Sequence, residues 1–70
     1  MPVVRTEVAG SVWKVEVAVG QSVAAGDALV ILESMKMEIP VESPSAGTVS
    51  EIRVVVGERV AEGAIVVTLA

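Results

Sequence analysis

Leu32-Glu33-Ser34-Met35-Lys36-Met37-Glu38-Ile39-Pro40-Val41 decides how this chain folds, because it lies at the seam between two copies of one repeat. Shifting the sequence by 37 positions lays residues 3–32 over 40–69, with 12 identities among the 30 aligned positions. Gly10, Gly20 and Gly26 fall on Gly47, Gly57 and Gly63, and Val12, Val17, Val23 and Leu32 fall on Val49, Val54, Val60 and Leu69. A fixed self-similarity that keeps glycines and valines in register marks one supersecondary unit used twice.

Each copy reads as strands. β-Branched residues dominate, and Val15, Val17, Val19 and Ile52, Val54, Val56 alternate with other residues at the two-residue period of a pleated strand. No dozen-residue window carries a 3.6-residue stripe, and glycine recurs too often for long helices. Gly20, Gly26, Gly57 and Gly63 close short loops, and Gly10 and Gly47 precede the longer strands, positions that read as turns needing positive φ. The expected strands are 3–8, 11–18, 22–24, 28–34, 37–42, 47–55, 59–61 and 64–69. The expected fold is all-β: a flattened eight-stranded barrel or sandwich of two four-stranded antiparallel sheets, related by an internal pseudo-two-fold repeat, within one domain spanning 1–70. Similar halves place the hairpin of residues 33–39, with Lys36, at one end and Met1 and Ala70 at the other.

Composition narrows the chemistry. A chain of 70 residues without cysteine or histidine has neither disulfide nor the usual zinc ligands, so packing of aliphatic side chains must hold it. At this size the expected stability is roughly 4 to 10 kcal/mol. Mean hydropathy is +0.73, but the longest strongly apolar run, Ala28 to Leu32, is far short of the ~18 residues of a spanning helix. Arg5 and Glu7 interrupt the apolar start, which disfavours a signal peptide, and a cytoplasmic location is the default expectation. A net charge of −4 disfavours binding to phosphate backbones and anionic lipid, so neither nucleic acid nor membrane is expected as a partner. The acidic residues are spread along the chain, as on a solvated surface.

Reactive groups are scarce, and Lys36 stands out among them. The only other lysine, Lys14, aligns with Glu51 in the second copy and reads as a plain solvent-facing residue. Acylation needs an exposed amine on a rigid projection, and the short connection at Met35 and Lys36 supplies one. Lysine amines are ammonium ions near neutral pH, so covalent chemistry at one needs a base from outside the chain. A mirror-image turn there would force positive φ on a methionine or a lysine. Trp13 shares parity with Val15 and Val17 and reads as a packing residue, although its counterpart is the small Ser50.

Glu33-Ser34-Met35-Lys36-Met37-Glu38 resembles the attachment motif of biotinyl domains, the carrier modules of biotin-dependent carboxylases. The flanks are similar too: Gly20, Val23, Gly26 and Leu29 upstream, repeated as Gly57, Val60, Gly63 and Val66, and the Ser43-to-Val49 segment. The likeness covers almost the whole chain and is greatest to the short stand-alone biotin/lipoyl attachment proteins. It implies that a biotin protein ligase joins biotin to Lys36, and that the biotin carries a carboxyl group from a biotin carboxylase to a carboxyltransferase. On that reading the chain is a non-catalytic carrier, monomeric on its own, and the enzymes are its partners. Met35 and Met37 are either gap-fillers or a flexible docking surface, and the resemblance associates them with the carboxylation partners. Glu33 and Glu38 serve surface solvation or contact with the ligase.

The chain departs from the family in two places. Gln21 and Glu58 stand where many relatives carry Asp, and no insertion separates the second and third strands, so the protruding loop of some carriers is expected to be missing. The main alternative is a lipoyl carrier, which shares the barrel and lysine hairpin. Lipoyl sites more commonly have Asp before the lysine and Ala after it, where Met35 and Met37 stand here. A third reading is a structural or regulatory β domain with no prosthetic group.

Overall fold

The computed structural model describes residues 2–70. Eight strands run β1 (Val3–Arg5), β2 (Gly10–Val15), β3 (Ser22–Val23), β4 (Ala28–Ser34), β5 (Met37–Glu42), β6 (Gly47–Ile52), β7 (Arg59–Val60) and β8 (Ile65–Leu69). They form two four-stranded antiparallel sheets, ordered β1-β8-β6-β3 and β5-β4-β2-β7. Moving each strand of the first sheet to its counterpart in the repeat yields the second sheet. The two-fold relation therefore exchanges the sheets whole.

Individual bonds obey the same exchange. Gly20 N–H donates to Val49 O and Gly57 N–H to Val12 O, both at 2.8 Å. Gly26 N–H reaches Ser43 O, and Gly63 N–H reaches Thr6 O, again at 2.8 Å. Each of these bonds joins one copy to the other, so neither copy completes its backbone pairing alone. Between the sheets lie Val4, Val12, Val23, Leu29, Val30, Leu32 and their counterparts, with Leu29, Val30, Leu32, Val66, Val67 and Leu69 wholly buried.

Several strands end earlier than the apolar alternation predicts. The strands expected at 11–18 and 47–55 stop at Val15 and Ile52. Glu16 N–H still bonds Leu29 O and Arg53 N–H still bonds Val66 O. Past these points the chain leaves its own sheet and crosses to the other, where Gly20 and Gly57 are captured. The strand expected at 3–8 stops at Arg5 because the buried Thr6 hydroxyl donates to Val8 O at 2.7 Å, a local turn that competes with the ladder. Ser43, its counterpart, bonds Ser45 O in the same way.

Gly10 and Gly47 are not turn residues. They open β2 and β6, and positive φ is confined to Gly20, Gly26, Gly57 and Gly63 among the glycines. Gly10 is required for closeness instead: a Cβ there would stand 2.6 Å from Glu33 O. The loops containing Gln21 and Glu58 are closed despite the departure from the family pattern. Ala18 N–H donates to Gln21 Oε1 and Val55 N–H to Glu58 Oε1, each at 3.1 Å. Only residues 16–21 connect β2 to β3, and no loop protrudes there.

The molecule measures 31 × 18 × 18 Å. Gly10 abuts Glu33 and Ser34 beside the β4-β5 turn, whereas Ser22, a dozen residues on, pairs with Thr48, whose carbonyl accepts from Ala70 N–H. The extended chain between Gly10 and Ser22 thus runs from the hairpin to the end holding Ala70. Met1, expected beside Ala70, lies outside the described residues.

Leu32 sits wholly buried under the turn, paired with Val12 and Ile39. Leu32→Ala is expected to remove roughly 2 to 5 kcal/mol in denaturant unfolding, a large share of the total. A loss below about 1 kcal/mol would show that the site collapses and that Leu32 does not anchor the hairpin.

Candidate functional site

The lysine end is built by β4 and β5. Val30, Ile31, Leu32, Glu33 and Ser34 pair in unbroken register with Val41, Pro40, Ile39, Glu38 and Met37. The last pair, Ser34 with Met37, leaves two residues for the reversal. Both take left-handed backbone, Met35 at φ 53° and Lys36 at φ 65°. Positive φ at both central positions is the signature of the type I′ hairpin turn, whose twist matches that of the strands and which ordinarily selects Asn and Gly. For side-chain-bearing residues the left-handed region costs roughly 1–2 kcal/mol each, and the ladder below offsets it.

Such a turn drives its side chains outward. Met35 is 92% exposed and Met37 63% exposed, so neither fills a gap in the core. Lys36, Glu33 and Glu38 are also exposed. The two ion pairs among the described residues are Lys14 with Glu16 and Arg53 with Glu51, so Lys36 is engaged by neither neighbouring carboxylate. Its amine is presented to solvent on a backbone fixed at both sides. Lys14, by contrast, lies mid-strand with its Nζ 3.4 Å from Glu16 Oε1.

Glu33 and Glu38 face each other directly across the ladder. Like charges in that relation are unfavourable, and no cation lies within ion-pair distance of either among the described residues. Trp13 is not a core residue: it is 47% exposed. The pairing of β2 with β4 steps from Val12 opposite Leu32 to Lys14 opposite Ile31, so Trp13 is the extra residue of a β-bulge and escapes the alternation that its parity implied. Its counterpart Ser50 was the available signal, since a core position seldom exchanges tryptophan for serine.

An exposed, unpaired lysine at the tip of a strained two-residue turn, on two sheets exchanged by a pseudo-two-fold, is a combination with relatives. The profile of the family described as "Biotin-requiring enzyme" matches residues 1–69. The chain belongs to that family. Among curated members of similar sequence are a biotinylated protein TB7.3 homolog of Mycobacterium leprae, 58% identical over 38 residues, and a biotin/lipoyl attachment protein of Bacillus subtilis, 50% identical over 38 residues. Those alignments cover 54% of this chain and 54% and 52% of the relatives, so the chain spans about half the length of the curated relatives it matches. Among solved structures, the urea carboxylase of Kluyveromyces lactis superposes with a TM-score of 0.94 at 35% identity, over 99% of this chain and 6% of that one. The same compact unit is thus found inside a much larger chain.

The backbone strain is open to direct test. Asparagine tolerates left-handed backbone far better than methionine does, so Met35→Asn is expected to raise the melting temperature by about 4–8 °C, the shift that about 1 kcal/mol produces in a domain of this size. An unchanged or lower melting temperature would show that the turn is not strained at Met35.

Proposed function

We propose that this chain is a single carrier domain, residues 1–70, whose Lys36 receives biotin by amide bond formation from a biotin protein ligase. The observation that supports it most is the position of Lys36 at the apex of the two-residue turn, exposed and outside every ion pair of the described residues. The donor chemistry fits: a primary amine on a flexible four-carbon stem can enter an enzyme pocket while the body stays outside. The ligase uses ATP to activate the biotin carboxylate as an acyl-adenylate, with release of pyrophosphate. Nζ then attacks the carboxyl carbon, the acyl–phosphate bond breaks with AMP as the leaving group, and the amine's proton goes to a base of the ligase. When bound, biotin supplies a ring that carries a carboxyl group between a biotin carboxylase and a carboxyltransferase. The family membership and the carboxylase among the structural neighbours support those partners. The catalysis belongs to the partners and the reach belongs to this chain.

Within that reading the residues divide their tasks. Lys36 carries the group, and Glu33 and Glu38 flank it for the ligase. Met35 and Met37, polarisable and exposed, cushion the carrier against the carboxylation enzymes. A lipoyl carrier is the second reading, supported by the name of the Bacillus relative. A lipoyl-attaching enzyme that modified Lys36 faster than a biotin ligase did would put it first.

Purified biotin protein ligase, biotin and ATP are expected to label the protein, and the label is expected to vanish in Lys36→Arg while the circular dichroism spectrum is kept. Equal labelling of Lys36→Arg would refute the assignment. Replacing Met35 and Met37 together by leucine is expected to leave labelling within twofold but to slow carboxyl transfer by roughly tenfold, about 1.4 kcal/mol of transition-state contact. If both activities fall alike, the proposed division of tasks is wrong.

A further inference from the structure

The internal repeat supplies its own control. Lys14, Ile31 and Pro40 stand opposite one another across β2, β4 and β5, with Trp13 at the bulge beside them. Their counterparts, Glu51, Thr68 and Val3, stand opposite one another in the other sheet, with Ser50 at the matching bulge. The backbone is the same in both places. In the second sheet the row is mostly polar, and Ser50 Oγ donates to Thr68 O at 2.9 Å. In the lysine-bearing sheet the row is mostly apolar: Trp13 is 47% exposed, Ile31 half-buried and Pro40 exposed, and Lys14 at its edge is paired with Glu16. The same register thus accommodates a mostly polar row in one sheet and a mostly apolar one in the other.

One step toward the turn, the outward row consists of Ser11, Glu33 and Glu38. Two facing carboxylates without a cation are unfavourable in the free protein, and they become favourable when a cationic surface covers them. Ile31 lies three residues below Ser34, roughly 10 Å down the strand. A specific interface covers about 800 Å² on each partner, about a fifth of this chain's 4134 Å² of surface. A partner that takes Lys36 into its active site therefore extends past the turn and onto one sheet.

We infer that the outer face of the β5-β4-β2-β7 sheet, with Trp13, Ile31 and Pro40 at its centre and Glu33 and Glu38 toward the turn, is the docking face for the enzyme that acylates Lys36. The matching surface on that enzyme is an apolar patch bordered by lysine or arginine. The inference rests on the carrier reading above. It selects the acylating enzyme rather than the carboxylation enzymes because only the former must bring the bare amine, on its short stem, into its own active site. Enzymes acting on a group already attached work at the end of a longer arm and do not need the sheet.

Steady-state labelling by purified biotin protein ligase, with the protein as varied substrate, tests this. Trp13→Ser, which installs the residue of the other repeat, is expected to raise KM roughly tenfold, the loss expected of a central aromatic contact, with kcat within twofold. Trp13→Phe is expected to restore most of the loss, and Val3→Thr on the opposite sheet to leave KM unchanged. Glu33→Gln with Glu38→Gln is expected to raise KM at low salt and to flatten its dependence on ionic strength. A wild-type protein that labels well while Trp13→Ser keeps its KM would overturn the docking face and leave the carrier reading standing. A wild-type protein that does not label at all would overturn both.

Discussion

The pairing of Ser34 with Met37 leaves two residues to reverse the chain, and most of what distinguishes this end of the molecule follows from that register. Two-residue reversals that match strand twist need left-handed backbone at both positions. Met35 and Lys36 accept it although neither is suited to it. The ladder from Val30 to Ser34, seated on the buried Leu32 and held close by Gly10, supplies the compensating free energy. The lysine is projected because of this register, since any longer loop would let its side chain fold back toward the sheets or wander.

Duplication explains how so small a chain affords a rigid platform. Each copy's loop glycines donate to carbonyls of the other copy, so the halves are interlocked rather than stacked. Thr6 and Ser43, buried hydroxyls at corresponding places in the two copies, make the same local bond, and no buried side-chain polar atom among the described residues lacks a partner. Where the two copies agree, the residue serves the barrel, as with Val12 and Val49 or Leu32 and Leu69. Where they disagree, as with Trp13 and Ser50, the matching bulges accommodate either side chain.

Much of this was legible in the residues. The 37-residue shift and the β-branched alternation carry the strand count, the two sheets and the position of the hairpin, because period and punctuation are local properties. The exposure of Lys36 followed from the shortness of its connection. Bulges and crossings were not legible. Trp13 has core parity, but parity fails where one strand holds an extra residue, and the bulge is set by pairing with β4. β2 and β6 end before the apolar pattern does, because Val17 and Val54 continue it while crossing between sheets. Apolar character does not record which sheet a residue serves. Gly10 is a similar case: sequence marks a glycine but does not say whether torsion or proximity requires it, and here it is proximity.

The account stands on one amine being singled out by backbone geometry. Peptide mapping by tandem mass spectrometry, on protein isolated from cells that make it, tests that most directly. The account predicts a biotinyl group on Lys36 and an unmodified Lys14 in the same molecules. A bare Lys36, a lipoyl group in place of biotin, or modification at Lys14 would contradict it.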